Sequence, residues 1–227
     1  MTSPLLPGPG EVWHALGDLW WRGGLGPELF ATLKLVAAGL VVSCLISFAL
    51  AYATVIPFVR HVVRVLTKLR FLGLTGLVFP FTLATGGGFA LKVALLTFGM
   101  STFLVTALAR IVEEVPRARL DYVRSLGASE WRVFYEAIVR GTLDRCIDAV
   151  RQNVAMGWAM ITMVEGIARS DGGVGALLLA ENKHFKLPEV YAVLLVVLVV
   201  GLLIDMALRG FGALACPHVR FETKEES

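Results

Sequence analysis

The chain has 227 residues, of which 56% are hydrophobic and 17% charged, with a mean hydropathy of +0.73. A soluble domain carries about 25% charged residues, so the polar residues here are too few to cover a protein surface in water, which excludes a freely soluble enzyme. The net charge is only +3, from 21 Lys and Arg against 18 Asp and Glu. That balance implies no basic groove and excludes a nucleic-acid binder.

The first segment, 1–28, places Val12, Ala15, Leu16, Leu19 and Trp20 at helical spacing, with Trp13, Trp20 and Trp21 suited to a membrane interface. It reads as a short amphipathic helix on the outer surface or, alternatively, as a partly ordered leader. Met1 to Gly10 has neither a basic n-region nor an apolar h-region, so no signal peptide is expected.

Long uncharged runs follow: Leu35 to Ile56 (22 residues), Phe71 to Leu91 (21) and Val93 to Ala109 (17). About 20 such residues cross a hydrocarbon core as a helix. The pattern predicts an all-α integral membrane protein with about five transmembrane helices. They are expected near Leu29–Ile56, Phe71–Thr85, Ala90–Ile111, Gln152–Ala168 and Val190–Leu208. Pro57 and Gly86 to Gly88 close the first and second. Continuous apolar runs, without ten-residue alternation, exclude a β-barrel.

Basic residues set the expected orientation. Arg60, Arg64, Lys68 and Arg70 follow the first span. Arg110, Arg117, Arg119, Arg124, Arg132, Arg140, Arg145 and Arg151 lie between the third and fourth, and Arg209, Arg220 and Lys224 follow the fifth. The opposite side holds Arg22, Lys92, Arg169, Lys183 and Lys186. This bias predicts an N-terminus outside and a C-terminus in the cytoplasm, as an odd number of spans requires. The implied organisation is an extracytoplasmic segment (1–28), a transmembrane domain (29–212) and a cytoplasmic tail (213–227). Cys44, Cys146 and Cys216 are too far apart for a disulfide framework or metal site and read as small buried thiols. His14, His61, His184 and His218 show no metal-binding spacing, and no metal is expected.

The longest polar interval, Glu113 to Arg151, spans 39 residues. Pro116 can open a helix, Leu120, Val123 and Leu126 form one apolar stripe, and Gly127 supplies a left-handed stop. Ser129 is placed to cap a second helix, with Glu130 in its first turn. That helix carries Trp131, Val133, Phe134, Ala137 and Ile138. Two short helices, apolar on one side and arginine-rich on the other, fit a docking element with a partner groove. They fit equally a lipid-facing loop held on anionic headgroups.

The stretch Ala118 to Phe134, with its core RSLGAS-x-W-x-x-F over Arg124–Phe134, resembles the cytoplasmic loop of bacterial ABC importer permeases, in the form of the nitrate, sulfonate and taurine branch. Weaker likenesses run through Leu6 to Val12, Ala31 to Lys34, Gly157 to Glu165 and Ser170 to Gly175, so the resemblance covers about Leu5 to Leu208. Asp121-Tyr122-Val123 stands where the family has Glu-Ala-Ala, and Arg140 where it usually has proline. Gly73 and Gly76 replace prolines common after the first cytoplasmic loop. Relatives place a further helix ahead of the matching segment. These departures fit an altered coupling geometry and the divergent half of a heteromeric pair.

The resemblance implies a coupling helix seated on a separate ATPase subunit, with Asp121, Arg124, Ser125, Leu126, Gly127, Ala128, Ser129, Trp131 and Phe134 in the contact. The chain has no G-x-x-x-x-G-K-[ST] sequence, so ATP and Mg are expected on the partner and no cofactor on this chain. It also implies a second permease, identical or divergent, an extracytoplasmic solute-binding protein, and residence in a bacterial cytoplasmic membrane.

Exceptions to apolarity mark the candidate solute path. Glu165 leads, because an intramembrane charge is expensive and faces a cavity or a partner; pairing with a nearby Lys or Arg is the alternative. Gly86, Gly87 and Gly88 permit non-helical backbone and join it as candidates. Asp171, Lys183 and Lys186 are the candidate contacts for a binding protein. Asp205 and Arg209 fit an i,i+4 pair, and Lys92 is expected to snorkel to the outer interface. No nucleophile–base pair shares a face, so no active site is expected. Two other classes stay open: a membrane-anchored assembly or regulatory protein that has lost transport, and an ion-coupled carrier, for which an inverted repeat would be needed and none is found.

Overall fold

Lipid leaves backbone amides no partner but each other, and every regular element described in the computed structural model is helical. The structure describes residues 7–21, 23–168 and 171–215, with side chains omitted at 57 and from 213 onward. Expectations resting on Leu5 and Leu6, Arg22, Arg169, Ser170, Cys216, His218, Arg220, Lys224 and the tail from 216 lie outside the described residues.

The helices are α1 (Pro9–Trp21), α2 (Leu25–Ala53), α3 (Pro57–Lys68), α4 (Leu74–Thr85), α5 (Gly88–Glu113), α6 (Arg117–Ser125), α7 (Glu130–Val133), α8 (Leu143–Ile167), α9 (Val174–Lys183) and α10 (Leu187–Ala215). Leu69–Phe71 and Arg140–Thr142 are 3-10 turns, and Phe134–Val139 is a π-helical segment joining α7 towards α8. α2, α5 and α10 are long and apolar enough to cross a membrane. α4, at 12 residues, rises only about 18 Å. α8 starts at Leu143, well before the expected start near Gln152, because the polar loop stays helical into the span.

The chain divides into two units, and the long helices α2, α5, α8 and α10 each give residues to both. In the first unit, Leu35, Val36, Leu96, Met100, Trp158 and Ile161 form one core, and Leu91, Leu95, Val164 and Ala168 another beneath α4. Trp158 Nε1 donates to the Val197 carbonyl at 2.9 Å, tying α8 to α10. α1 is not simply a surface helix: Ala15 and Leu19 pack against Leu25, Val174, Ala192, Val193 and Val196. Trp13, Trp20 and Trp21 stay exposed on its other face.

In the second unit, Ala51, Leu104, Leu108, Ile111, Cys146 and Ala149 form the main core, and Val63 of α3 packs with Val105 and Ala109. Cys146 is thus a buried thiol, and Cys44 is half-buried. The expected Asp205–Arg209 pair forms at 2.8 Å, and Arg151 joins it at 3.6 Å.

α9 lies close against α8 at Gly175, where a Cβ would meet the Thr162 Cα and carbonyl oxygen at 2.6 Å. Backbone cannot yield as a side-chain tip can, and such overpacking costs about 1–3 kcal/mol. Gly175→Ala is therefore expected to lower the thermal unfolding temperature of the purified protein in detergent. Gly26→Ala, where a Cβ meets nothing within 4 Å, is the control that leaves it unchanged.

Candidate functional site

The arginine-rich loop belongs to the second unit. α6 ends in a reversal at Gly127, whose φ of +76° is left-handed and whose amide donates to the Arg124 carbonyl at 2.9 Å. Arg124 grips Glu130 across this turn through Nε and Nη2 at 2.9 and 3.0 Å, and Asp121 at 3.2 Å. The hydrogen bond from Arg124 holds the Glu130 carboxyl below the usual glutamate range. Ser125 Oγ turns back to the Tyr122 carbonyl at 2.7 Å.

Ser129 occupies the N-cap position of α7 but makes no side-chain cap bond, contrary to expectation; its backbone carbonyl accepts from the Val133 amide at 2.9 Å. The Arg124–Glu130 clamp holds the start of this helix, which the serine was expected to cap. Four of the loop's other arginines are also engaged, Arg119 with the Gly141 carbonyl, Arg140 with Glu136, Arg145 with Glu114 and Arg151 with Asp148, while Arg117 and Arg132 make no such contact among the described residues. The loop is thus a mesh of paired charges more than an open basic face.

Its apolar residues divide cleanly. Val133, Ala137 and Ile138 are buried, and Phe134 stacks on Trp131 at 5.6 Å and meets Tyr52 edge-on at 5.9 Å. Leu120 and Val123 are half-buried, but Leu126 breaks from their stripe and is 69% exposed. Tyr122 and Trp131 are exposed to 66% and 76%. Ala128 is half-buried beside the turn.

The second cluster belongs to the first unit and forms around the loop before α9. A helix begins with amides that have no partner inside it. Here three successive ones are taken by side chains from other helices: Gly173 N–H donates to Glu28 Oε2, Val174 N–H to Thr32 Oγ1 at 2.9 Å, and Gly175 N–H to Glu165 Oε2 at 2.8 Å. Thr32 Oγ1 in turn donates to Glu165 Oε1 at 2.7 Å. Lys92 Nζ donates to the Gly172 carbonyl at 2.6 Å. Two carboxylates thus meet the positive end of a helix dipole, with a cation on the same loop. Gly172 and Gly173 take φ of +68° and +113°, and a Cβ on Gly173 would overlap the Glu165 carboxylate.

Across residues 40–216 the chain matches the family model described as binding-protein-dependent transport system inner membrane component. The chain belongs to that family. It is 24% identical over 216 residues to a probable ABC transporter permease protein of Brucella melitensis, covering 90% of this chain and 84% of that one. It is 26% identical over 98 residues to the taurine transport system permease protein TauC of Escherichia coli, covering 43% of this chain and 35% of that one. The fold is similar to a chain of the inward-facing MetNI methionine ABC transporter, with a TM-score of 0.65 at 15% identity, covering 91% and 98% of the two chains. The protein is an ABC importer permease.

In this permease Glu165 is 1% exposed and hydrogen-bonded through both oxygens, so it faces protein partners in this structure. Gly86 caps α4 in the left-handed region, and Gly87 and Gly88 continue the turn with positive φ. A Cβ on Gly88 would lie 3.4 Å from Asp171 Oδ2, so Gly88 and Asp171 meet beside the Lys92–Gly172 contact. Lys183 and Lys186 are exposed at the far end of α9. Lys186 pairs with Glu181 at 3.1 Å, and that hydrogen bond raises its ammonium above the usual lysine range.

Lys92 corrects the snorkelling expectation: it is 2% exposed, held inward by the Gly172 carbonyl. Sequence reasoning also passed over Glu28, Thr32 and Phe185. Glu28 is an acid in the first turn of α2, just ahead of the expected span. Phe185 is exposed at a φ of +56°, a region bulky side chains avoid, and no local motif announces it.

Two outcomes follow. Removing the Glu165 carboxylate leaves the Thr32 hydroxyl and the Gly175 amide without their acceptor, at roughly 1–3 kcal/mol each. Thermal unfolding should rank the native protein above Glu165→Gln, which keeps one acceptor, and that above Glu165→Ala; equal stability of all three would refute the capping role. At the loop, the depressed Glu130 carboxyl means the clamp is complete above the usual glutamate range and is lost as pH falls through the lowered value. Trp131 environment, read by tryptophan fluorescence in a protein whose other tryptophans are replaced by phenylalanine, should change in acid. That step should be absent in Glu130→Gln.

Proposed function

We propose that this permease forms half of the membrane pathway of an ATP-driven importer and takes its motion from a separate ATPase subunit gripping the 113–151 loop. The observation that carries this reading is the exposed trio Tyr122, Leu126 and Trp131 on a loop that holds five of its seven arginines by internal contacts. A loop held only by lipid headgroups would leave its arginines free for phosphates. This one spends most of them on internal contacts and presents apolar side chains beside them, as a groove-seated element does. Gly127, Ala128 and Ser129 form the bend of the docking turn, Arg124 and Asp121 its clamp, Ser125 a local brace, and Phe134 the anchor beneath Trp131.

On this reading the loop is cytoplasmic, the N-terminal segment is extracytoplasmic, and the membrane is the bacterial cytoplasmic one. ATP and Mg are held by the ATPase, and the permease pairs with an identical or divergent copy. A solute-binding protein docks on the extracytoplasmic side, where Asp171, Lys183 and Lys186 are the candidate contacts. The exposed Phe185 beside the two lysines supports that assignment. Glu165 and Gly86 to Gly88 act on the path by holding or releasing the loop before α9 as the permease changes state. The RSLGAS-x-W-x-x-F form and the match to a taurine permease support membership of the nitrate, sulfonate and taurine branch.

Removing both Leu126 and Trp131 side chains to alanine should weaken co-purification of the ATPase at least tenfold and stop uptake, with insertion and helix content unchanged by circular dichroism. Gly127→Leu, which strains the turn by about 1 kcal/mol or more, should do so partially. Full ATPase recovery and uptake in the double variant would refute the coupling role.

A further inference from the structure

The transport reading leaves α3 unused. It follows α2 after the turn at 54–56, so it starts where a candidate membrane span ends. At about 100° per residue its side chains fall into three stripes. Val59, Val63 and Leu66 point inward, Val63 buried and the other two half-buried. Arg60, Arg64 and Lys68 are exposed on the opposite side. Between these two stripes lie Phe58 and Val65, exposed to 76% and 62%.

Most of the charge around this helix is uncompensated. No acidic residue occurs between Glu28 and Glu113 in the sequence. Arg60 pairs with Glu113 at 3.4 Å, whereas Arg64, Lys68 and the following Arg70 make no ion pair among the described residues. The contrast with the 113–151 loop is direct, since four of the seven arginines there pair with neighbouring carboxylates. An exposed apolar stripe bordered by cations without acidic partners, Arg70 resting over the Phe71 ring at 5.1 Å, matches a surface that is itself apolar on one side and anionic on the other. The boundary between acyl chains and acidic headgroups has that character, and α2 delivers the chain to it. We propose that α3 lies in the plane of the bilayer interface and binds anionic phospholipid, Phe58 and Val65 entering the acyl region while Arg64, Lys68 and Arg70 hold headgroup phosphates.

The test uses the full chain in nanodiscs of mixed phosphatidylglycerol and phosphatidylcholine. Cys44, Cys146 and Cys216 are replaced by serine, and Val65→Cys carries a fluorophore. Either lipid is supplied with brominated, quenching tails at the same mole fraction. Brominated phosphatidylglycerol should quench several-fold more than brominated phosphatidylcholine. Arg64→Gln, Lys68→Gln and Arg70→Gln together should equalise the two. The label moved to Leu198 of α10, an exposed apolar site, should show no preference. Equal quenching at Val65, a preference that survives the triple variant, or the same preference at Leu198 would each overturn the proposal. Absence of quenching by either lipid would overturn it too, since α3 would then be covered by protein.

Discussion

A carboxylate in the apolar part of a helix has to be answered by something, and the answer to Glu165 organises the first unit of this permease. The partners are the unsatisfied amides that open α9, which Glu165 shares with Glu28 and Thr32. The arrangement solves two problems at once. A buried helix start without partners and a buried acid without partners are each costly, and each removes the other's cost. It also explains why two glycines precede α9: left-handed backbone turns the amides towards the acids, and a Cβ on Gly173 would occupy the position of the Glu165 carboxylate.

The second unit manages charge differently. Its loop pairs acid with base at exposed positions, where each pair contributes little to stability but fixes the direction of the turn at Gly127. The result is a shaped surface with apolar residues at its tip. The loop continues through the π-helical segment and the Arg140–Thr142 turn into α8, the helix that carries Glu165. The same helix therefore starts at the end of this loop and carries Glu165 near its own C-terminal end.

Much of this was legible in the sequence, for identifiable reasons. Uncharged runs announce membrane helices because lipid tolerates few charges, and the turns at Gly86 and Gly127 follow from residue type. Asp205 and Arg209 were predictable as a pair because one turn of helix joins them. Glu165 stood out because a charge in an apolar run is conspicuous. What it binds was not legible: Thr32 is 133 residues away in sequence, and a backbone amide carries no sequence signal. Lys92 was misread for the same reason, since its acceptor is the carbonyl of Gly172. Ser129 shows the opposite failure, in which a local capping rule was overruled by the Arg124–Glu130 clamp across the turn.

Amide hydrogen exchange on the full-length protein in nanodiscs tests the central claim most directly. If Glu28, Thr32 and Glu165 cap α9, the Gly173, Val174 and Gly175 amides should exchange as slowly as those in the middle of α5. Exchange at the rate of the exposed segment around His184 and Phe185 would contradict it, and the loop before α9 would then have to be held by something other than these side chains.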